Sequence, residues 1–156
     1  VANWTYGAQA VEIELDVETG KIRVLKVAAV YDAGRVLNPV TATTQVEGGV
    51  IQGLSIGLLE EMKFSEKGKL LNPSYVDYKI LTAADIPDEL IVDFVEVPQE
   101  DGPYGARGIG EHVMVPTPPA IANALYHAAG IRVRTLPMTP EKVYLALKER
   151  LRASVR

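Results

Sequence analysis

The stretch 38-NPVTATTQVEGGVIQGLSIGLLEEM-62 decides how the rest of the chain folds around it. An Asn side chain accepts from the first free N–H groups of a helix, and a proline at the first helical position loses no bond, so Asn38-Pro39 predicts a helix start. From Val40 to about Met62 the apolar residues Val46, Val50, Leu54 and Leu58 recur every four positions, which predicts one long helix. Gly49, Gly53 and Gly57 recur at the same spacing, and each costs about 1 kcal/mol relative to alanine in a helix interior. Something must therefore approach the backbone closely along that strip. Beside it, Gln45, Gly48 and Gln52 lie on adjacent turns of a single face. Two readings stay open for these surfaces: packing of another helix through glycine, or approach of a ligand.

On the N-terminal side, Val11, Ile13, Leu15 and Val17 alternate with acidic residues, the pattern of a strand with one wet face. Thr19-Gly20 supplies a turn, and Ile22–Tyr31 reads as the hairpin partner, more apolar and hence more central. On the C-terminal side, residues 63–72 read as a short hairpin around Lys67-Gly68, Leu90–Val97 as a strand, and Pro98–Gly110 as a long loop. Thr117 is the expected N-cap of a helix with Pro118 at its first position, running to Ala129 and closed by Gly130 in a left-handed cap. Residues 131–138 form a short strand or extended link, and Thr139-Pro140-Glu141 opens a last amphipathic helix through Leu151. The expected fold is α+β, a single domain over 1–156: a β-hairpin and mixed strands packed against one long Gly-rich helix and two or three shorter helices.

The composition suits such a globular domain, with 47% apolar and 23% charged residues in 156. A net charge of −4 argues against a dominant nucleic-acid footprint, which needs a concentrated positive surface. Absence of cysteine removes disulfides, thiolate metal sites, iron–sulfur clusters and cysteine nucleophiles from this chain. The two histidines, His112 and His127, are too far apart for a local metal-ligand pair. No apolar stretch is long enough to span a bilayer, and no basic segment followed by an apolar one opens the chain, so neither a membrane span nor a signal peptide is expected.

The sharpest chemical feature is 105-GARGIGEH-112, where Glu111 follows a loop holding three glycines. Such a loop lets backbone N–H groups crowd an anion or a flat cofactor, because no Cβ stands in the way. A carboxylate lodged beside a bound anion, away from bulk water, is pushed toward general-base duty. The plainer reading of Glu111 is a solvated loop residue. Arg107 is either a loop-closing arginine or an anion contact, and His112 either relays protons to Glu111 or orients the loop. His127 needs no role. No serine sits in a Gly-flanked elbow, so acyl transfer is not expected.

The runs 31-YDAGRVLNPVTATTQVEGGVIQGLSIGLLEE-61, 105-GARGIGEHVMVPTPPAIANALYHAAG-130 and 136-LPMTPEKV-143 together resemble the C-terminal part of the molybdopterin-binding large subunit of the xanthine dehydrogenase and aldehyde oxidase family. Carbon monoxide dehydrogenase large chains are the nearest flavour, and the likeness covers about residues 3 to 148. The resemblance implies that Gln52 hydrogen-bonds the molybdenum cofactor and that Glu111 is the active-site base, with Gly48, Gly49, Arg107, Gly108 and Gly110 around the cofactor. It implies a molybdenum hydroxylase that inserts water-derived oxygen at an electrophilic carbon of a small molecule. The cofactor would be molybdenum-molybdopterin, its cytosine dinucleotide form being one option. It would be shared with the remaining molybdopterin-binding polypeptide, since the family subunit is several times longer. Iron–sulfur clusters and FAD would sit on partner subunits, the location would be cytoplasmic, and this chain alone would be inactive. Arg107 stands where many members carry Lys, and His112 where many carry Pro.

Two other readings compete. One is an interaction or assembly module that keeps the fold without catalysis, the Gly-lined helix docking another polypeptide. The other is a small nucleotide-binding protein, which requires the 105–110 loop to join a strand directly to a helix.

Overall fold

A computed structural model describes residues 4–154. Strand β1 (Gly7–Leu15) and strand β2 (Ile22–Asp32) form the expected antiparallel hairpin. Strand β3 (Glu89–Val95) joins the far side of β2 in parallel, giving a three-stranded mixed sheet in the order β1-β2-β3. The apolar β2 is central, as its composition demands. Its buried residues Val24, Val27, Ala29 and Tyr31 break strict alternation once. The reason is a bulge: Glu12 faces Lys26 while Ile13 faces Val24, so Leu25 is the extra residue that resets the phase.

Helix α1 (Pro39–Leu58) starts where expected, with the Asn38 side chain accepting from Thr41 N at 3.2 Å. It stops at Leu58, short of Met62. The backbone N–H groups of both Leu59 and Glu60 then turn back to the Ser55 carbonyl. Helix α2 (Thr117–Ala129) ends on Gly130, whose φ of 62° is the left-handed cap foreseen for it. At its start the structure departs from the sequence reading. Pro116 occupies the cap position and Thr117 is already helical, its hydroxyl turned inward to a glutamine rather than to the helix N-terminus. Helix α3 (Pro140–Ser154) is the last of the described elements. Residues 131–138 form the extended link, not a strand, and Met138 N donates to Gly57 O at 2.7 Å to pin that link on the end of α1.

The core lies between sheet and helices. Val46, Val50 and Leu54 of α1, Ile121 and Leu125 of α2, and Val143 and Leu147 of α3 meet Val27, Ala29 and Tyr31 of β2. The observed architecture is α+β, a three-stranded mixed sheet and three helices that share one core. Among the described residues no helix is long and apolar enough to cross a membrane.

Candidate functional site

The glycine strip of α1 faces the chain's own residues 113–121. A Cβ placed on Gly49 would sit 2.7 Å from Val113 Cβ, and one on Gly53 would sit 2.6 Å from Thr117 Cβ and 2.7 Å from the Met114 carbonyl oxygen. At Gly57 the neighbour is Ile121 at 3.3 Å. What comes close is therefore polypeptide, and packing through glycine accounts for all three positions. The adjoining face differs. Gln45, Gly48 and Gln52 are exposed, and a Cβ at Gly48 would meet nothing within 4 Å.

Residues 96–116 connect β3 to α2 and carry the remaining candidate residues, Arg107, Gly108, Gly110 and Glu111. Their first part is stitched to the end of β2: Arg107 N donates to Ala33 O at 2.8 Å, and Arg35 N to Gly105 O at 2.9 Å. The Arg107 side chain is mostly buried and closes the loop, its Nε lying 3.2 Å from Asp32 Oδ2 while Nη1 donates to Trp4 O at 2.9 Å. The other oxygen of Asp32 accepts from Gly34 N and Val97 N. One buried carboxylate thus ties three segments together, and the loop-closing reading of Arg107 has a partner in place.

Beyond Arg107 the backbone is open. Gly108 and Gly110 have no atom within 4 Å of where a Cβ would stand, and Glu111 is exposed at the head of a short 3₁₀ turn, Glu111–Met114. His112 lies inward, its ring edge-on to Tyr31 at 5.5 Å between centroids. Its Nδ1 accepts from Gly110 N at 3.3 Å, which leaves the proton of the neutral ring on the buried Nε2. Burial holds this imidazole below the usual histidine pKa.

Under the turn runs a polar network that pattern reading missed. Tyr31 Oη donates to Val113 O at 2.8 Å, and Gln9 Nε2 lies 2.9 Å from both Tyr31 Oη and Val113 O. Thr117 Oγ1 donates to Gln9 Oε1 at 2.7 Å. Burial raises the Tyr31 phenol's pKa, so it stays a donor. A signal for Gln9 did exist: it stands in phase with Val11, Ile13 and Leu15, a polar residue on the inward side of its strand.

The structure thus places the sequence candidates in three groups. Gln52 and Gly48 share the open face of α1, and Gly49 lies buried on the packed strip. Glu111, Gly108 and Gly110 lie on the open loop, whose turn touches α1 through Val113 and Gly49. Arg107 joins Gln45 around a groove of about 320 Å³, also lined by Arg35, Asn38 and Ile109. Neither Gln52 nor Glu111 lines that groove. Among the described residues no group of three or more His, Asp or Glu side chains could hold a metal ion. Amide side chains and unobstructed glycine backbone can instead receive a flat, acceptor-rich ligand.

Residues 1–87 match the molybdopterin cofactor-binding domain family, and the chain belongs to it. It is 36% identical over 140 residues to the putative xanthine dehydrogenase molybdenum-binding subunit of Escherichia coli K12, covering 89% of this chain and 18% of that protein. The aldehyde oxidoreductase of Desulfovibrio gigas superposes with a TM-score of 0.85 at 35% identity, over 92% of this chain and 15% of that one. Carbon monoxide dehydrogenase from Oligotropha carboxidovorans gives the same TM-score at 25% identity, over 96% of this chain and 19% of that one. This chain spans about a fifth of the length of the curated relatives it matches. The family expected from the long motifs is the family found, and its relatives are molybdenum-containing oxidoreductases.

Proposed function

We propose that this chain is the C-terminal portion of a molybdenum hydroxylase subunit, contributing the catalytic base and one wall of the cofactor site. The observation that carries this reading is the contact of two elements with open outer surfaces. The turn that begins with Glu111 lies on Gly49 and Gly53 of α1, and Gln52 stands between those two glycines in sequence. The bound cofactor would supply the two-electron oxidation by which water-derived oxygen enters an electrophilic carbon. Gln52 would hydrogen-bond that cofactor, with the unobstructed backbone of Gly48, Gly108 and Gly110 allowing close approach. The metal would be carried by the cofactor rather than by side chains of this chain. Glu111 would accept the proton of the attacking water, a role that suits a carboxylate once the rest of the subunit covers it and removes bulk solvent.

Arg107 enters this reading as the strut that fixes the loop through Asp32, and Gly49 as a packing residue; neither needs to touch the cofactor. The remaining molybdopterin-binding polypeptide would form the other wall, and iron–sulfur and FAD subunits would take the electrons onward. The cytosine dinucleotide form of the cofactor and a cytoplasmic location belong to the same proposal. The isolated chain would be inactive, because a ligand of this size needs both walls of its cleft. A nucleotide-binding role fits poorly, since residues 96–116 with two 3₁₀ turns separate β3 from α2.

The test is Glu111→Gln in the assembled enzyme. It keeps shape and deletes the base, so turnover falls by orders of magnitude while molybdenum content holds. Retention of most of the turnover removes Glu111 from the mechanism.

A further inference from the structure

Glu111 is exposed, yet the chain on both sides of it is tied down. On one side Gly110 N–H reaches His112 Nδ1. On the other, the Val113 carbonyl, two residues past Glu111, accepts from both the Tyr31 phenol and the Gln9 amide. The same Gln9 amide donates to Tyr31 Oη and accepts from Thr117, whose methine carbon packs on Gly53. Tyr31 is 1% and Thr117 0% exposed, so little water competes for these bonds. Packing alone does not call for such a network: apolar groups of the same shape can replace both partners of a buried hydrogen bond at little cost. Directional bonds add orientation, because they fix which way the Val113 carbonyl points and with it the pitch of the 111–114 turn.

We propose that Gln9, Tyr31 and Thr117 are positioning residues for Glu111, a buried clamp on the Val113 carbonyl that holds the turn at the angle the base requires. The inference rests on the reading of Glu111 as base. Misplacing a reacting group by about 1 Å can cost a hundredfold in rate, so a clamp of this kind acts on turnover more than on affinity.

The test uses the full molybdenum-binding subunit in its native complex, comparing Tyr31→Phe, Thr117→Val and the conservative Thr117→Ser. Tyr31→Phe removes a single hydroxyl and leaves Gln9 bonded to Val113, so the fold survives. The expected result is a tenfold to hundredfold lower kcat, on the order of magnitude of such misplacement. KM and molybdenum and pterin content should be unchanged, and hydrogen exchange faster at the amides of residues 110–114. Thr117→Val acts in the same direction, and Thr117→Ser restores most of the loss. An unchanged kcat with a lowered melting temperature overturns the proposal, as does an equal loss in the Ser and Val variants, or a fall in cofactor content.

Glu111→Gln separates the two layers. If it spares turnover, the base reading fails, whatever the exchange data say of the clamp. If it abolishes turnover while Tyr31→Phe leaves kcat and exchange intact, the clamp alone fails.

Discussion

Adding one methyl group to Gly53 asks whether the contact between α1 and the Glu111 turn is as tight as the geometry says. The new Cβ would stand 2.6 Å from Thr117 Cβ and Oγ1 and 2.7 Å from the Met114 carbonyl oxygen. Neither neighbour can yield cheaply: one is a branched side chain with no exposed surface, the other is backbone. Overpacking of this kind costs about 1–3 kcal/mol. Alanine recovers about 1 kcal/mol of helix propensity, so the net expectation is a loss near 1 kcal/mol, with the turn pushed off the helix. Gly48→Ala is the control, since nothing lies within 4 Å of its Cβ and the same propensity gain stands unopposed. Native-state hydrogen exchange on the full subunit reads both locally. Amides of 110–117 should open more readily in Gly53→Ala, and those of α1 should be slightly better protected in Gly48→Ala. Equal protection in the two variants would refute the packing argument.

Gln52→Ala should lower bound molybdenum and pterin without unfolding the subunit, because the residue is exposed on α1; unchanged cofactor content after purification contradicts its role. Asp32→Ala strands the mostly buried Arg107 and frees three segments, and loss of one partner of a buried pair costs about 3–5 kcal/mol, visible as a lower denaturation midpoint. His112 has a folded pKa below its unfolded value, so the unfolded state takes the proton first as the medium becomes acidic. Its contribution is whole above the ordinary histidine pKa and is lost as pH falls through the lower folded value. His112→Phe should flatten that acid-side slope in a denaturation series, and an unaltered slope would assign it to other groups.

The parts of this structure that sequence made legible are those written in neighbouring residues. Asn38-Pro39 announces the start of α1 because cap and first-turn geometry are local, and Gly130 announces the end of α2 for the same reason. The hairpin of β1 and β2 follows from alternation and a Thr-Gly turn. The glycine repeat correctly demanded a close neighbour, but only the fold could decide between polypeptide and ligand, since Val113 and Thr117 lie far along the chain. The same distance hid the clamp: Gln9 reaches partners 104 and 108 residues away. Thr117 departs from the expected capping role for an instructive reason. A threonine before two prolines satisfies every local rule for a cap, yet its hydroxyl serves a tertiary bond. For Arg107 the sequence leaves loop closure and an anion contact as alternatives, and only the fold sets Asp32 opposite its guanidinium.

The reach of Gln9 has a bearing on biogenesis. Its side chain leaves the ribosome more than a hundred residues before two of the groups it grips, the Val113 carbonyl and the Thr117 hydroxyl, and at about 5–20 residues per second that interval is roughly 5–20 s. During this time the amide is hydrated and the first strand can pair with the second. The acid-bearing segment can be drawn into register only after Thr117 has emerged, so synthesis itself puts this corner of the molecule among the last to set.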